Sequence, residues 1–233
     1  MNSVFKSFFI VTICAACATL RSQDSADGFI HQLFGDKRTG VFFDIGAGDG
    51  ITDNKTYYFE KQLGWVGACT ESLPSIYEKL RTCRLAICIN AGITPQGGTL
   101  PFLKVTTENA DEQNAKALSG PLALFEPAEL KRTIEKAYNL KGKIELTDMQ
   151  CFTFAQIMEA LELNHIDLLS VAKSKQTAEI LKTIDFSVFD IDVIVIENTL
   201  NNYDIQKMLI SNGFVLLKKT DFEEIYRNTK YLQ

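Results

Sequence analysis

The chain has 233 residues, 46% hydrophobic and 23% charged, with 14 Gly, 5 Pro and a formal net charge of −5. That length suits one domain with a short extension, large enough to bury roughly 70% of the surface its unfolded chain exposes without a disulfide or metal staple. The apolar fraction excludes a disordered chain, and the acidic balance excludes a global electrostatic grip on nucleic acid.

Residues 1–20 differ from the rest. Lys6 precedes an uncharged stretch of thirteen residues, Phe8 to Leu20, with the small residues of Ala16-Cys17-Ala18 near its end. A bilayer span needs about 20 apolar residues. A basic residue, a short apolar core and a small-x-small exit instead match a secretory signal peptide, cut near Ala18. The alternative is a helix packed on the domain, or a short interfacial anchor. On the first reading the protein is secreted, or associated with a membrane through this segment; otherwise it is cytoplasmic. Residues 21–233 then form the folded domain.

From Ser22 onward, short apolar runs alternate with amphipathic stretches. Gly40 to Ile45 reads as a buried strand that ends at glycines. Residues 54–63 read as a helix with Asn54 at its cap. Strands are expected over 65–69, 85–89 and 100–105, with a helix over 75–82. Residues 107–120 are polar and small and read as a loop. Helices follow over 127–138, 153–161, 177–184 and 204–211, and buried strands over 166–171 and 193–196. Residues 214–219 and 223–226 read as an antiparallel hairpin about Thr220-Asp221. This order predicts an α/β fold with a mostly parallel sheet, helices on both faces and a C-terminal antiparallel hairpin.

Six cysteines occur, at 14, 17, 69, 83, 88 and 151. Two lie in the apolar leader, and Cys69 and Cys88 fall in strand-like runs where a buried free thiol is ordinary. His31 and His165 are the only histidines, so no pair has zinc-ligand spacing and no metal is expected.

In such sheets ligands sit beyond the carboxyl ends of the strands. The first strand ends in Asp44-Ile45-Gly46-Ala47-Gly48-Asp49-Gly50. Gly46, Gly48 and Gly50 let backbone approach a ligand where any Cβ collides, and Asp44 places a carboxylate at the strand end. The spacing is not that of a dinucleotide fingerprint, and no P-loop lysine follows, which disfavours a phosphate cradle. The second strand ends in Thr70-Glu71-Ser72, where an acid can accept both hydroxyls of a ribose. Asn90 ends the third strand, with an amide for an adenine edge or a backbone group. Together these residues point to a nucleoside-type cofactor without a phosphate grip, S-adenosylmethionine rather than a dinucleotide.

The segments Gly40–Gly50, Tyr58–Gly67 and Cys69-Thr70-Glu71 resemble FkbM-type methyltransferases. The resemblance continues through Ile166–Ser170, Glu179–Phe186 and Asp192–Asn198 to Gly213-Phe214, nearly all of the chain after residue 21. It implies a Rossmann-like class I methyltransferase sandwich that uses S-adenosylmethionine, often on sugar or natural-product oxygens. It also implies that Asp44, the glycines after it and Glu71 hold the cofactor, with Glu71 on its ribose.

The chain departs from that pattern after its fourth main strand. The family usually reads Ser-Leu-Asp-Val-Glu-Gly-Ala-Glu there; this chain reads Ser170-Val171-Ala172-Lys173-Ser174-Lys175-Gln176-Thr177. Ala172 replaces the aspartate, Ser174 the glutamate and Lys175 the glycine. A carboxylate near a sulfonium or an acceptor hydroxyl positions it or takes its proton, whereas Lys173 and Lys175 repel a cation. Near Ser119-Gly120-Pro121 the family often has a histidine, for which Glu129 or a neighbour stands here. His165 precedes a strand and reads as a partly exposed imidazole. Glu197 remains as a carboxylate at the correct edge. Asn54-Lys55-Thr56 is a glycosylation sequon, read as chance.

Three functions compete. One is a working methyltransferase, acting on the oxygen of a small hydroxylated or glycan acceptor. Another is a degenerate methyltransferase fold that binds a nucleoside cofactor or a partner without turnover. The third is a secreted interaction protein with an empty pocket. No nucleic-acid partner is expected.

Overall fold

A computed structural model describes residues 26–107, 115, 118–174, 176–197 and 203–232. The apolar leader, the expected boundary at residue 21, most of the 107–120 loop and Lys175 lie outside those residues. The chain divides into two units, meeting between Gly35 and Asp36. In the first, α1 (Ala26–Phe34) has Asp27 in its first turn, where a negative charge suits the helix dipole. The Gly35 amide closes it on the His31 carbonyl at 2.8 Å.

The second unit runs, in chain order, β1 (Val41–Ile45), α2 (Tyr57–Leu63), β2 (Val66–Thr70), α3 (Pro74–Cys83), β3 (Ile87–Ile89), β4 (Gly92–Ile93), β5 (Gly98–Thr106), β6 (Gly120–Pro121), α4 (Pro127–Asn139), β7 (Lys143–Phe152), α5 (Phe154–Ala160), β8 (His165–Val171), α6 (Thr177–Lys182), β9 (Asp190–Glu197), α7 (Tyr203–Ser211), β10 (Phe214–Lys219) and β11 (Glu223–Asn228). Seven strands form the main sheet in the order β10-β11-β9-β8-β1-β2-β3. From β9 to β3 all neighbours are parallel; β11 is antiparallel to both β9 and β10. The predicted hairpin is thus present, with its second strand inserted between β9 and the edge.

The central strands are apolar on both faces, as a covered parallel sheet requires. On one face Phe43, Leu169 and Ile194 share a core with Phe154 of α5, Ile180 of α6 and Leu209 of α7. Thr153 starts α5 with a capping box closed by Gln156, which satisfies two amides that the first helical turn leaves open. On the other face Phe59 of α2 packs against Trp65, ring centroids 4.6 Å apart. Trp65 in turn donates its indole N–H to the Lys37 carbonyl at 2.6 Å.

A second sheet, in the order β4-β7-β5-β6, was not foreseen. Its longest ladder pairs β5 with β7 antiparallel, from Gly98 opposite Cys151 to Thr106 opposite Lys143. The predicted strand over 100–105 is the middle of β5. Strand β7 alternates polar and apolar residues but never forms a continuous apolar run, so it gives no buried-strand signal. Its faces serve different neighbours. Met149 and Cys151 pack with Phe102 against Leu73 and Ile76, while Ile144 packs with Val105 and Ala137 of α4.

Close backbone approach at the β1–β2 pair depends on Gly67, which lies opposite Phe42. A Cβ there would fall 2.1 Å from the Phe42 carbonyl oxygen. Main chain cannot yield as a side chain can, so Gly67→Ala should destabilise the fold by about 1–3 kcal/mol. Urea unfolding checks this; an unchanged midpoint would mean that the two strands tolerate a wider seating.

Candidate functional site

The carboxyl ends of β1 and β2 lie side by side, Asp44 opposite Cys69 and Ile45 opposite Thr70. The chain turns back at once after β1. The amides of Gly46 and Ala47 both donate to the Thr70 carbonyl, at 3.0 and 2.9 Å, so the turn is pinned to the end of β2. Gly46, Gly48 and Gly50 have φ of +78°, +64° and +80°, a region that side chains disfavour. Space supplies a second reason, different from the expected one. A Cβ on Gly46 would lie 2.9 Å from the Ala172 Cβ, and one on Gly50 would lie 2.6 Å from Leu80 and 2.9 Å from the Arg84 Cγ. At 46 and 50 the missing side chains make room for the protein's own elements, the ends of β8 and α3.

Glu71, 1% exposed, follows β2. Its Oε2 accepts the Gly48 amide at 3.1 Å and its Oε1 the Leu73 amide at 3.0 Å. The structure therefore joins Glu71 to the glycine turn. Ser72 Oγ also lies 3.5 Å from the Glu71 Oε1. Asn90 takes the backbone option foreseen for it: its Nδ2 donates to the Glu71 carbonyl at 2.8 Å and to that of Ser72 at 3.3 Å. That holds the main chain from which the Glu71 side chain projects.

Asp44, 2% exposed, is engaged inside the protein. Its Oδ2 accepts from Asn54 Nδ2 and from Thr56 Oγ1, both at 2.8 Å. Asn54 Nδ2 also donates to the Ala47 carbonyl at 3.1 Å. Asn54 Oδ1 accepts the Tyr57 amide at 2.9 Å, so this residue does help to start α2, from just outside the helix. The nitrogen that a glycan would occupy at the Asn54 sequon is thus buried and spent on Asp44 and Ala47.

Beneath the turn lies an ion pair that the sequence did not reveal. Arg84, at the end of α3, donates through Nε to Glu60 of α2 at 2.9 Å, with side chains 0% and 3% exposed. Its Nη1 reaches the Gly50 carbonyl at 3.3 Å and Asn54 Oδ1 at 3.1 Å, and its Nη2 reaches Thr56 Oγ1 at 2.9 Å. Glu60 also accepts the amides of Leu85 and Ala86, at 3.0 and 3.1 Å. The available signal was a single acid, Glu60, in a short helix between the core residues Phe59 and Leu63.

At the ends of β8 and β9 the chemistry differs. The Ala172 amide donates to the Ile45 carbonyl at 2.9 Å. The Lys173 amide donates to Glu197 Oε2 at 3.3 Å, and the Ser174 amide to Thr177 Oγ1 at 3.0 Å. Among the described residues of 172–177 there is no carboxylate. Glu197, at the end of β9, is the nearest acid by register. It stands opposite Glu223 of β11, which is ion-paired with Lys55. His165 lies at the opposite edge of the sheet, 3.3 Å from both Asp167 and Asp190, and Glu129 lies in the first turn of α4.

Among the described residues, Cys69, Cys83, Cys88 and Cys151 are free thiols. No group of three or more His, Cys, Asp and Glu in that set is arranged to hold a metal, and no helix in it is long and apolar enough to cross a membrane.

A mostly parallel sheet with this strand order, a glycine turn after its first strand and an acid after its second define a Rossmann-like methyltransferase fold. The sequence matches the methyltransferase FkbM domain over residues 44–230, and the chain belongs to that family. The family implies a cofactor of the S-adenosylmethionine type. No curated protein matches the sequence. Among solved structures the chain is similar to the METTL16 MTase domain, at 9% identity and a TM-score of 0.44, covering 87% of this chain and 66% of that one. It is similar to M. capricolum TrmK in complex with S-adenosyl-homocysteine, at 11% identity and a TM-score of 0.40, covering 85% and 66%. It is also similar to precorrin-6y C5,15-methyltransferase from Geobacter metallireducens GS-15, at 12% identity and a TM-score of 0.43, covering 92% and 93%. The chain thus spans just under two thirds of the first two.

The pair beneath the turn has a pH signature. Burial by itself would raise the Glu60 pKa. The Leu85 amide, Lys61 and Arg84 outweigh it and hold the carboxyl below its usual 4.5. A carboxyl depressed in the folded state stabilises above its unfolded pKa, and that contribution is lost as pH falls through the folded value. Stability should therefore be flat in Glu60 at neutral pH and fall in acid, below about 4.5. Glu60→Gln should remove part of that acid limb. Urea midpoints of both proteins from neutral pH down into the acid limb check this, and parallel curves would exclude Glu60 as a contributor.

Proposed function

We propose that this chain binds S-adenosylmethionine at the carboxyl edge of β1 and β2 and transfers a methyl group to the oxygen of a small hydroxylated or glycan acceptor. One observation carries the binding half: the Glu71 carboxylate is fastened to the Gly48 amide at the edge of the parallel sheet. The donor and acceptor set suits the group. A carboxylate placed beside the glycine turn at the end of β2 fits a ribose diol, the turn brings main chain without side chains to the same edge, and the 44–54 turn carries no basic side chain that would favour phosphates.

In this reading Glu71 and the backbone of Gly46, Ala47 and Gly48 hold the cofactor. Asp44, Gly50 and Asn90 act one step back, on the conformation of the turn and of the Glu71 main chain. When bound, S-adenosylmethionine supplies an electrophilic methyl group on a sulfonium. The acceptor then lies over the ends of β8 and β9, and Glu197 is the residue that takes the hydroxyl proton at its carboxylate.

The Ala172–Ser174 segment favours a second reading, a fold that keeps the nucleoside site without turnover. The acids that the family usually places there are missing, and the Lys173 side chain brings positive charge to that end of β8.

Calorimetry with S-adenosylmethionine tests the shared half of both readings. Binding is expected, and no heat at millimolar ligand would end both. Glu71→Ala should weaken binding by about 1–3 kcal/mol, as for a lost charged hydrogen bond; undiminished affinity would remove Glu71 from the ribose. Methyl transfer to a panel of sugars, by the native chain and by the double variant Ala172→Asp/Ser174→Glu, divides the two readings. Native turnover supports the first, and turnover that appears only with the restored acids supports the second.

A further inference from the structure

The glycine turn closes on itself through the Gly50 amide on the Ala47 carbonyl, at 3.1 Å, and is pinned to β2 through Gly46 and Ala47. Its Asp49 and Gly50 carbonyls are met from the end of α3. Cys83 Sγ donates to the Asp49 carbonyl at 3.1 Å, and Arg84 Nη1 to the Gly50 carbonyl at 3.3 Å. Arg84 also reaches Asn54 Oδ1 at 3.1 Å. The opposite end of that carboxamide holds Asp44 Oδ2 and the Ala47 carbonyl, at 2.8 and 3.1 Å. One guanidinium therefore reaches the turn twice, directly at Gly50 and through Asn54 at Ala47. Gly50 is shaped for it, because a Cβ there would fall 2.9 Å from the Arg84 Cγ. The Arg84 side chain is buried, and its Nε, Nη1 and Nη2 are spent on Glu60, Gly50, Asn54 and Thr56.

We propose that Arg84, with Glu60 as its buried counter-charge, is a positioning residue for the cofactor turn. It sets Ala47 and Gly50, and with them the Gly48 amide that orients Glu71, so that cofactor affinity depends on a side chain the cofactor never contacts. The geometry of the guanidinium is essential to this role. A planar fork meets Glu60, Gly50, Asn54 and Thr56 at once, whereas a lysine ammonium carries the same charge to Glu60 on a flexible stem with no fixed fork. The two side chains thus separate charge from shape.

The inference rests on the cofactor reading above, and its test separates the two. Calorimetry with S-adenosylhomocysteine and hydrogen exchange of the 46–52 amides are measured on the native chain, Arg84→Lys and the double variant Arg84→Met/Glu60→Gln. All are compared at a temperature where each is fully folded. The double variant removes both buried charges together and so leaves neither unpaired, which keeps a folded protein in the series. Leu209→Ala, in the core on the other face of the sheet, serves as a control destabilised by a core cavity remote from the turn. Both Arg84 variants should bind roughly tenfold more weakly or worse, the loss expected when charged hydrogen bonds to the turn are removed. Their 46–52 amides should exchange faster, while Leu209→Ala should bind as the native chain does. Affinity of the Arg84 variants within twofold of native overturns the proposal, and so does a matching loss in Leu209→Ala. If the native chain itself does not bind, the cofactor reading fails. Exchange then decides the role of Arg84, and unchanged protection of the 46–52 amides overturns it.

Discussion

Arg84 and Glu60 form the interaction on which the carboxyl edge of this sheet is built. Removing two charges from water costs several kcal/mol per ion, repaid only when the geometry is good and the remaining donors and acceptors are met. Here they are met almost entirely by main chain and short side chains. Glu60 collects the amides of Leu85 and Ala86, which lead into β3, while Arg84 collects Gly50, Asn54 and Thr56, which lead from β1 into α2. Two connections far apart in sequence are thereby tied by one salt bridge. The Phe42 ring lies against the guanidinium, 5.3 Å from ring centroid to Cζ, so the pair also rests on the central strand.

That arrangement divides the edge into two unlike halves. Over β1 and β2 each carboxylate is committed to hydrogen bonds within the protein. Asp44 holds Asn54 and Thr56, and Glu71 holds Gly48 and Leu73. The acids there serve the turn first, and through it whatever the turn binds. Over β8 and β9 the arrangement is sparser. Ala172 fits against Gly46 with no room for a larger residue on the glycine side. Charge is supplied by Lys173, by Glu197 and by the Lys55–Glu223 pair, which links the segment before α2 to the start of β11. A family membership that covers both halves therefore speaks more directly to the first than to the second.

Much of the fold was legible because both of its periodicities are strong. The runs Val41–Ile45, Ile166–Val171 and Val193–Ile196 are mostly apolar, which marks strands covered on both faces, and the helices between them are amphipathic. Strand β7 was not legible. Its apolar residues change phase between Leu146 and Met149, because its two halves face different helices, and that division exists only once α3 and α4 are in place. The site followed the same rule. Gly46, Gly48, Glu71 and Asn90 stand directly after strands, where sequence position implies spatial position. Arg84 and Glu60 lie 24 residues apart in an α3–β3 turn and mid-helix in α2, with nothing local to connect them.

By itself, then, the sequence determined the alternating α/β plan, the parallel core and the places where the chain leaves the sheet, because side-chain period and glycine spacing act over a few residues. Only the tertiary structure decided what those departures are for. It turned Asp44 inward to Asn54, set Gly46 and Gly50 against Ala172, Leu80 and Arg84, and buried one guanidinium beneath the turn. The physical reason is that a buried polar group must find its partners wherever the fold brings them, and a one-dimensional pattern carries no record of which distant partner that is.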